Sequence, residues 1–184
     1  MKNAVKWVIL ALLLVAIIVL AVVLYNKYSK EYMAEIPEAK DTVTAPDFTV
    51  FDEEGNAVKL SDFKGSPVVV NFWATWCYYC KQEMPEFETL YKNYPDIKFL
   101  MINATDGVQE SEAAARQYIK ENGYTFDVYY DLRQDAAMTY GVSGLPTTYF
   151  INSEGEIVAG TSGYLDRVAL ENGISMIRAK KDGN

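Results

Sequence analysis

The sequence predicts an α/β sandwich preceded by one membrane-spanning helix. Two observations carry this. Trp7–Leu24 is an unbroken apolar run of 18 residues, and beyond Ala45 short β-branched and aromatic runs alternate with segments of helical period. Strands alternating with helices, closed by a hairpin and a last helix, make a layered α/β domain. The 184 residues allow one domain with an appendage. Half of them are hydrophobic and 14% are aromatic, enough for a sizeable core.

The boundaries follow from composition. Residues 1–6 are a short N-terminal segment and residues 7–25 are the span. As a helix, the 18-residue run would measure about 27 Å, and with Ala4, Val5 and Tyr25 it reaches across a hydrocarbon core of about 30 Å. A cleaved signal peptide is the alternative. Its apolar region is shorter, about 7–15 residues, and ends in a small-residue cleavage site, which does not follow here. No cysteine near the end of the run offers a lipid attachment site. The flanking lysines (Lys2 and Lys6; Lys27 and Lys30) nearly balance, so charge says little about orientation. The free N-terminus favours an N-in, C-out anchor in the cell membrane. Residues 26–44 are polar and mixed in charge and read as a tether, which places the domain at 45–184.

Within the domain, Phe48–Phe51 and Ala57–Leu60 flank a turn-rich segment and predict a hairpin. Val68–Trp73 is almost wholly apolar, as a central strand covered on both faces should be. A helix follows over Tyr78–Tyr94, with Pro85 inside it. Then come a strand at Ile97–Asn103, a helix at Glu110–Asn122 stopped by Gly123, a strand at Phe126–Tyr130 and a short helix at Asp135–Tyr140. Thr147–Asn152 and Glu156–Gly160 predict a second hairpin. Asp166–Lys181 predicts a terminal helix, weakened by Gly173.

The charge balance narrows the function. A net charge of −8 lacks the basic footprint that nucleic acid requires. The chain has no histidine, hence neither the usual general base nor the commonest metal ligand. Its two cysteines, Cys77 and Cys80, form a Cys-X-X-Cys pair where a buried strand gives way to a helix. The first cysteine of such a pair sits at the helix N-terminus. There, unpaired N–H groups and the macrodipole favour a thiolate, the nucleophile of disulfide exchange. The second lies a turn further in, placed to resolve a mixed disulfide. A zinc site would need further ligands that the chain lacks. A purely structural disulfide would gain little from so short a loop. These residues therefore predict a redox pair with no metal and no cofactor beyond its own disulfide.

Val68–Cys80 (VVVNFWATWCYYC) resembles the active-site strand and loop of the thioredoxin superfamily. Together with Ala45-Pro46-Asp47-Phe48, Ser61-Asp62-Phe63-Lys64-Gly65 and Glu83-Met84-Pro85, it resembles the TlpA/ResA-type membrane-anchored thiol–disulfide oxidoreductases over residues 45–180. The resemblance implies a thioredoxin-like three-layer sandwich with a central mixed β-sheet, an N-terminal β-hairpin extension and a central insertion. It implies a cis-proline at Pro146 opposite the cysteines, with Leu145 turned outward to pair with an extended substrate strand. Trp76 abuts Cys77 and is expected to shield it and contact substrate. Tyr78 and Tyr79 are expected to tune the redox poise.

Stepping 100° per residue from Cys80 places Glu83, Met84, Phe87, Leu90, Tyr91 and Tyr94 on one face. Glu83 thus lies in an apolar stripe, where desolvation should raise its pKa and make it a proton acceptor for the cysteines. A glutamate that reaches water at the stripe's edge is the alternative. Glutamate at this spacing is also what the resemblance implies, whereas cytoplasmic thioredoxins carry a buried aspartate where this chain has Asn71. A peroxidatic site would need a threonine or serine at position 74 and a proline at 70. Ala74 and Val70 stand there. A binding or chaperone module would not need the cysteine pair. Direction is read from the absence of any cation between the cysteines and from a partly buried Glu83. Both favour a reducing poise, with a disulfide-donating oxidase as the alternative. The resemblance implies a membrane electron donor of the CcdA or DsbD kind. It also implies disulfide-containing exported substrates, such as an apocytochrome c. A monomer is expected.

Overall fold

The computed structural model of the protein describes Lys6, residues 12–24 and residues 38–178. Residues 1–35 and 36–184 form two compact units. In the first, residues 12–24 form a helix, α1, with exposed apolar side chains. At 1.5 Å per residue it is about 20 Å long, and no described helix is long and apolar enough to cross a membrane. The rest of the expected 7–25 span lies outside the described residues, as do residues 26–37 of the expected tether.

The second unit is built on one mixed sheet. Its strands are β1 (Glu38–Thr44), β2 (Thr49–Phe51), β3 (Ala57–Lys59), β4 (Val68–Trp73), β5 (Lys98–Asn103), β6 (Val128–Tyr130), β7 (Thr147–Ile151) and β8 (Glu156–Ser162). They lie in the order β1-β8-β7-β4-β5-β6-β2-β3. β4 runs parallel to β5 and antiparallel to β7. The helices are α2 (Tyr78–Asn93), α3 (Glu112–Asn122), α4 (Asp135–Thr139) and α5 (Arg167–Arg178).

β4 is buried along its whole length because both of its faces are covered. Val69 and Trp73 join Cys80, Met84, Phe87 and Leu90 of α2, Ala115 and Ile119 of α3, and Leu170 and Ile174 of α5 in one core cluster. Val68, Val70 and Phe72 face the other way and pack with Phe48 and Val50 of the hairpin, Leu60, and Ala136 of α4. These are the three layers. Each large apolar side chain buried here contributes roughly 1.5–3 kcal/mol. The period-two alternation along β4 assigns Asn71 to the same face as Val69 and Trp73, which is the face of α2.

Three expectations are corrected. Part of the expected tether, residues 38–44, forms β1 and pairs antiparallel with β8, so the ordered domain starts before Ala45. This segment covers the sheet edge that β8 would otherwise leave open. Its polar, charged sequence suits an edge strand and carries no apolar alternation to announce one. The helix predicted from Glu110 begins at Glu112. Ser111 is its N-cap, accepting the Ala114 N–H at 3.2 Å, and Glu110 lies outside it. Gly173 is not simply a weak point of α5. A Cβ there would come within 2.3 Å of the Phe150 ring, so glycine is what lets α5 sit on β7. Gly123 ends α3 in the left-handed conformation, as expected.

Candidate active site

β4 ends at Trp73, and the chain turns through Ala74-Thr75-Trp76 into α2. The Cys77 N–H donates to the Ala74 carbonyl at 3.2 Å, and Cys77 becomes the N-cap residue of the helix. Its Sγ accepts the Cys80 N–H at 3.1 Å. A thiolate at this sulfur would therefore meet a backbone donor and the positive end of the helix. The two sulfurs form a disulfide, with the Cα atoms 5.3 Å apart. Cys80 is fully buried and Cys77 is 5% exposed. Of the two, only the first cysteine offers a partner any access.

Glu83 follows Cys80 by one turn and is fully buried. Both of its oxygens are held. Oε1 accepts from Asn71 Nδ2 at 2.9 Å, and Oε2 accepts the Leu165 N–H at 3.1 Å. The same Asn71 amide nitrogen donates to Thr148 Oγ1 at 3.0 Å, tying β4 to β7 beneath the carboxylate. Burial pushes the Glu83 carboxyl up from 4.5 to about 7, against the downward pull of the two hydrogen bonds. The alternative in which this side chain reaches water is thereby excluded.

The Leu145–Pro146 peptide bond is cis. β7 pairs with β4 through Thr147 opposite Phe72. One further step in that register sets Pro146 beside Trp73, where the redox loop begins. Pro146 is buried and Leu145 half-buried. Around the disulfide lie exposed aromatics: Trp76 at 49%, Tyr78 at 65%, Tyr79 at 58% and Tyr164 at 44%. Tyr78 packs edge-on against Tyr79 with centroids 5.4 Å apart, and Tyr79 approaches Tyr164 at 6.3 Å. The fold thus groups Trp76, Cys77, Tyr78, Tyr79, Cys80 and Glu83 along one loop and helix, with Leu145 and Pro146 just before the neighbouring strand β7. Among the described residues, no group of three or more Asp, Glu, Cys or His side chains is placed to hold a metal ion.

Sequence reasoning missed three participants. Asn71 reads in the sequence only as the residue in place of an aspartate, yet it holds Glu83. Leu165 reaches Glu83 through a backbone N–H, which leaves no trace in side-chain chemistry. Glu110, 1% exposed, accepts from Thr75 N–H, Thr75 Oγ1 and Asn103 Nδ2 at 3.1, 2.7 and 2.8 Å. Ser111 was the available signal: a serine N-cap would have put Glu110 outside the helix.

A buried Cys-X-X-Cys disulfide at a helix start, on a mixed sheet with a cis-proline just before the neighbouring strand, defines a thioredoxin-like thiol–disulfide oxidoreductase. Residues 42–159 match the AhpC/TSA family. The thiol–disulfide oxidoreductase ResA of Bacillus cereus is 34% identical over 176 residues, covering 96% of this chain and 98% of that protein. Its Bacillus subtilis namesake is 34% identical over 171 residues, covering 91% of this chain and 90% of that protein. Among solved structures, the exposed lipoprotein thioredoxin of Streptococcus pneumoniae superposes with a TM-score of 0.64 at 30% identity, covering 71% of this chain and 99% of that one. StoA of Bacillus subtilis does so with a TM-score of 0.61 at 26% identity, covering 73% and 99%. The chain belongs to the AhpC/TSA family and to its ResA-type thiol–disulfide oxidoreductases.

Proposed function

We propose that this oxidoreductase works as an outward-facing, membrane-anchored reductase of disulfides in exported proteins, with Glu83 as the proton acceptor of the pair. The observation that carries the reading is the buried carboxyl of Glu83, one turn beyond Cys80, with its pKa raised to about 7. A group titrating near neutrality can take a thiol proton and return it. In the reduced protein, the Cys77 thiolate attacks a client disulfide and forms a mixed disulfide, and the displaced client sulfur takes up a proton. Glu83 accepts the Cys80 proton. The Cys80 thiolate then attacks Cys77 Sγ, and the second client sulfur leaves. Two electrons pass to the client, and the Cys77–Cys80 disulfide remains.

Trp76, Leu145 and Pro146 are the proposed substrate contacts. Trp76 offers exposed apolar surface beside Cys77, and the backbone at Leu145, one residue before the cis-proline, would pair with an extended client strand. Tyr78 and Tyr79 put no charge between the cysteines. The anchor is assigned to residues 7–25 on the apolar run alone. It would place the domain outside the membrane, where disulfides form. Electrons would come from a membrane donor of the CcdA or DsbD kind. A disulfide in an apocytochrome c haem-binding motif is one fitting client.

Two effects on the poise oppose each other. The helix N-terminus stabilises the Cys77 thiolate, typically by about 0.3–1 kcal/mol and up to about 2 kcal/mol when partly buried, which pulls toward an oxidant. An ionised Glu83 nearby disfavours a second anion and pulls toward a reductant. The equilibrium reduction potential of the full chain against defined thiol buffers decides between them. A value below about −250 mV, near thioredoxin, is expected, and one near −120 mV, as for a strong oxidant, would make the protein a disulfide donor instead.

A further inference from the structure

Glu110 plays no part in the exchange steps above, yet it is the most heavily bonded carboxylate near the cysteines. Its Oε1 accepts from the Thr75 N–H at 3.1 Å and from Asn103 Nδ2 at 2.8 Å, and its Oε2 accepts from Thr75 Oγ1 at 2.7 Å. It is 1% exposed. Burying a carboxylate is costly unless its oxygens are matched by donors, and the loop joining β5 to α3 has no need of such a group merely to cross the surface.

The loop itself is built to hold it. Asp106 Oδ1 accepts the N–H groups of Val108, Gln109 and Glu110 at 2.8, 2.7 and 2.9 Å. The Gly107 N–H donates to the Glu110 carbonyl at 3.0 Å. Thr105 Oγ1 donates to Asn103 Oδ1 at 2.6 Å, and Gln134 Nε2 donates to the Thr105 carbonyl at 2.6 Å. The carboxylate is therefore fixed from behind, and what it grips in front is Thr75, two residues before Cys77. A further tie on that stretch is the Cys77 N–H to the Ala74 carbonyl.

We infer that Glu110 is a positioning residue for the redox loop: by holding Thr75 through backbone and side chain together, it fixes the turn that presents Cys77 at the N-terminus of α2. The role holds whichever way electrons flow. It also makes a distinctive demand. Geometry is required, not charge. A glutamine can reproduce every contact, its oxygen accepting from the Thr75 N–H and Asn103 while its amide donates to Thr75 Oγ1, because a hydroxyl accepts as well as it donates. An alanine reproduces none of them.

The test uses the full chain with Glu110→Gln, Glu110→Ala and Thr75→Val. Each is pre-reduced, and its rate of exchange with oxidised glutathione is measured well below its thermal midpoint, with near-UV circular dichroism to establish packing. A misplaced reacting group costs on the order of 100-fold. Glu110→Ala is accordingly expected to lose at least about tenfold in rate, and Glu110→Gln to stay within about threefold of the parent. Thr75→Val keeps the backbone contact and should fall between them. A packed Glu110→Ala protein exchanging at the parent rate overturns the inference. So does a Glu110→Gln protein as slow as the alanine variant, since charge would then be the operative property. If Glu110→Ala does not fold, a packed Thr75→Val protein with the parent rate overturns it on its own.

Discussion

Two buried glutamates follow the Cys77–Cys80 pair in the chain, and they are held in different ways. Glu83 projects from α2 and takes two donors, one from the middle of β4 and one from the segment before α5. Glu110 lies in the loop after β5 and takes three, two of them from Thr75. Both are out of water. Burial alone therefore does not tell the proposed proton acceptor from the proposed brace. What tells them apart is where the donors come from. The donors to Glu83 come from core elements and leave its carboxyl raised to about 7 by desolvation. Those to Glu110 come chiefly from the loop that carries the nucleophile, so its bonds transmit position.

The sharpest way to break this comparison is to remove each carboxylate. Glu110→Leu leaves the Thr75 and Asn103 donors without an acceptor, at about 1–3 kcal/mol for each buried group left unpaired. A loss of about 3–5 kcal/mol in unfolding free energy is expected by urea titration. Next is the pH dependence contributed by Glu83. Its folded pKa, about 7, exceeds the ordinary 4.5, so the native state keeps a proton that the unfolded chain has released. Its contribution is full below about pH 4.5, declines as pH rises to about 7 and is level above. The total is roughly 3 kcal/mol. Urea midpoints between pH 4 and 8 should show this decline in the parent and lose it in Glu83→Gln. An unchanged slope in the variant would assign the titration to another group.

Gly173→Ala should sharpen the contrast at slightly smaller cost. The added methyl gains up to about 1 kcal/mol in helix propensity, but it meets the buried Phe150 ring at 2.3 Å. Overpacking typically costs about 1–3 kcal/mol, and a net loss of stability is expected. Because α5 follows Leu165, the shift should disturb the Glu83 site and leave the Glu110 loop alone, which proton exchange at the Leu165 and Thr75 amides can distinguish. The smallest effect is expected from Thr148→Val, which removes one acceptor from the Asn71 amide. A loss of about 1 kcal/mol is expected, with the Glu83 contact intact.

The order of the elements was legible because each carries a periodic apolar pattern bounded by turn residues. Val68–Trp73 read as a doubly covered strand, and it is one. Cys77 and Cys80 were legible from their Cys-X-X-Cys spacing where a buried strand gives way to a helix, and Glu83 because helical spacing puts it with Cys80 on one buried face. β1 was hidden because a polar edge strand has no apolar alternation to display. The use of Gly173 was hidden because the close neighbour, Phe150, comes from a strand far away in the chain. The Asn71–Glu83–Leu165 links and the Glu110 clamp join residues that only the folded sheet brings together. One of those links is a backbone amide, which composition cannot reveal.

The central claim, that Glu83 exchanges protons with the cysteine pair, is tested most directly by the pH profile of disulfide exchange in the pre-reduced full chain and in Glu83→Gln. The account predicts an inflection near pH 7 in the parent, superimposed on the thiol titration and absent from the variant. Identical profiles in the two proteins would contradict it.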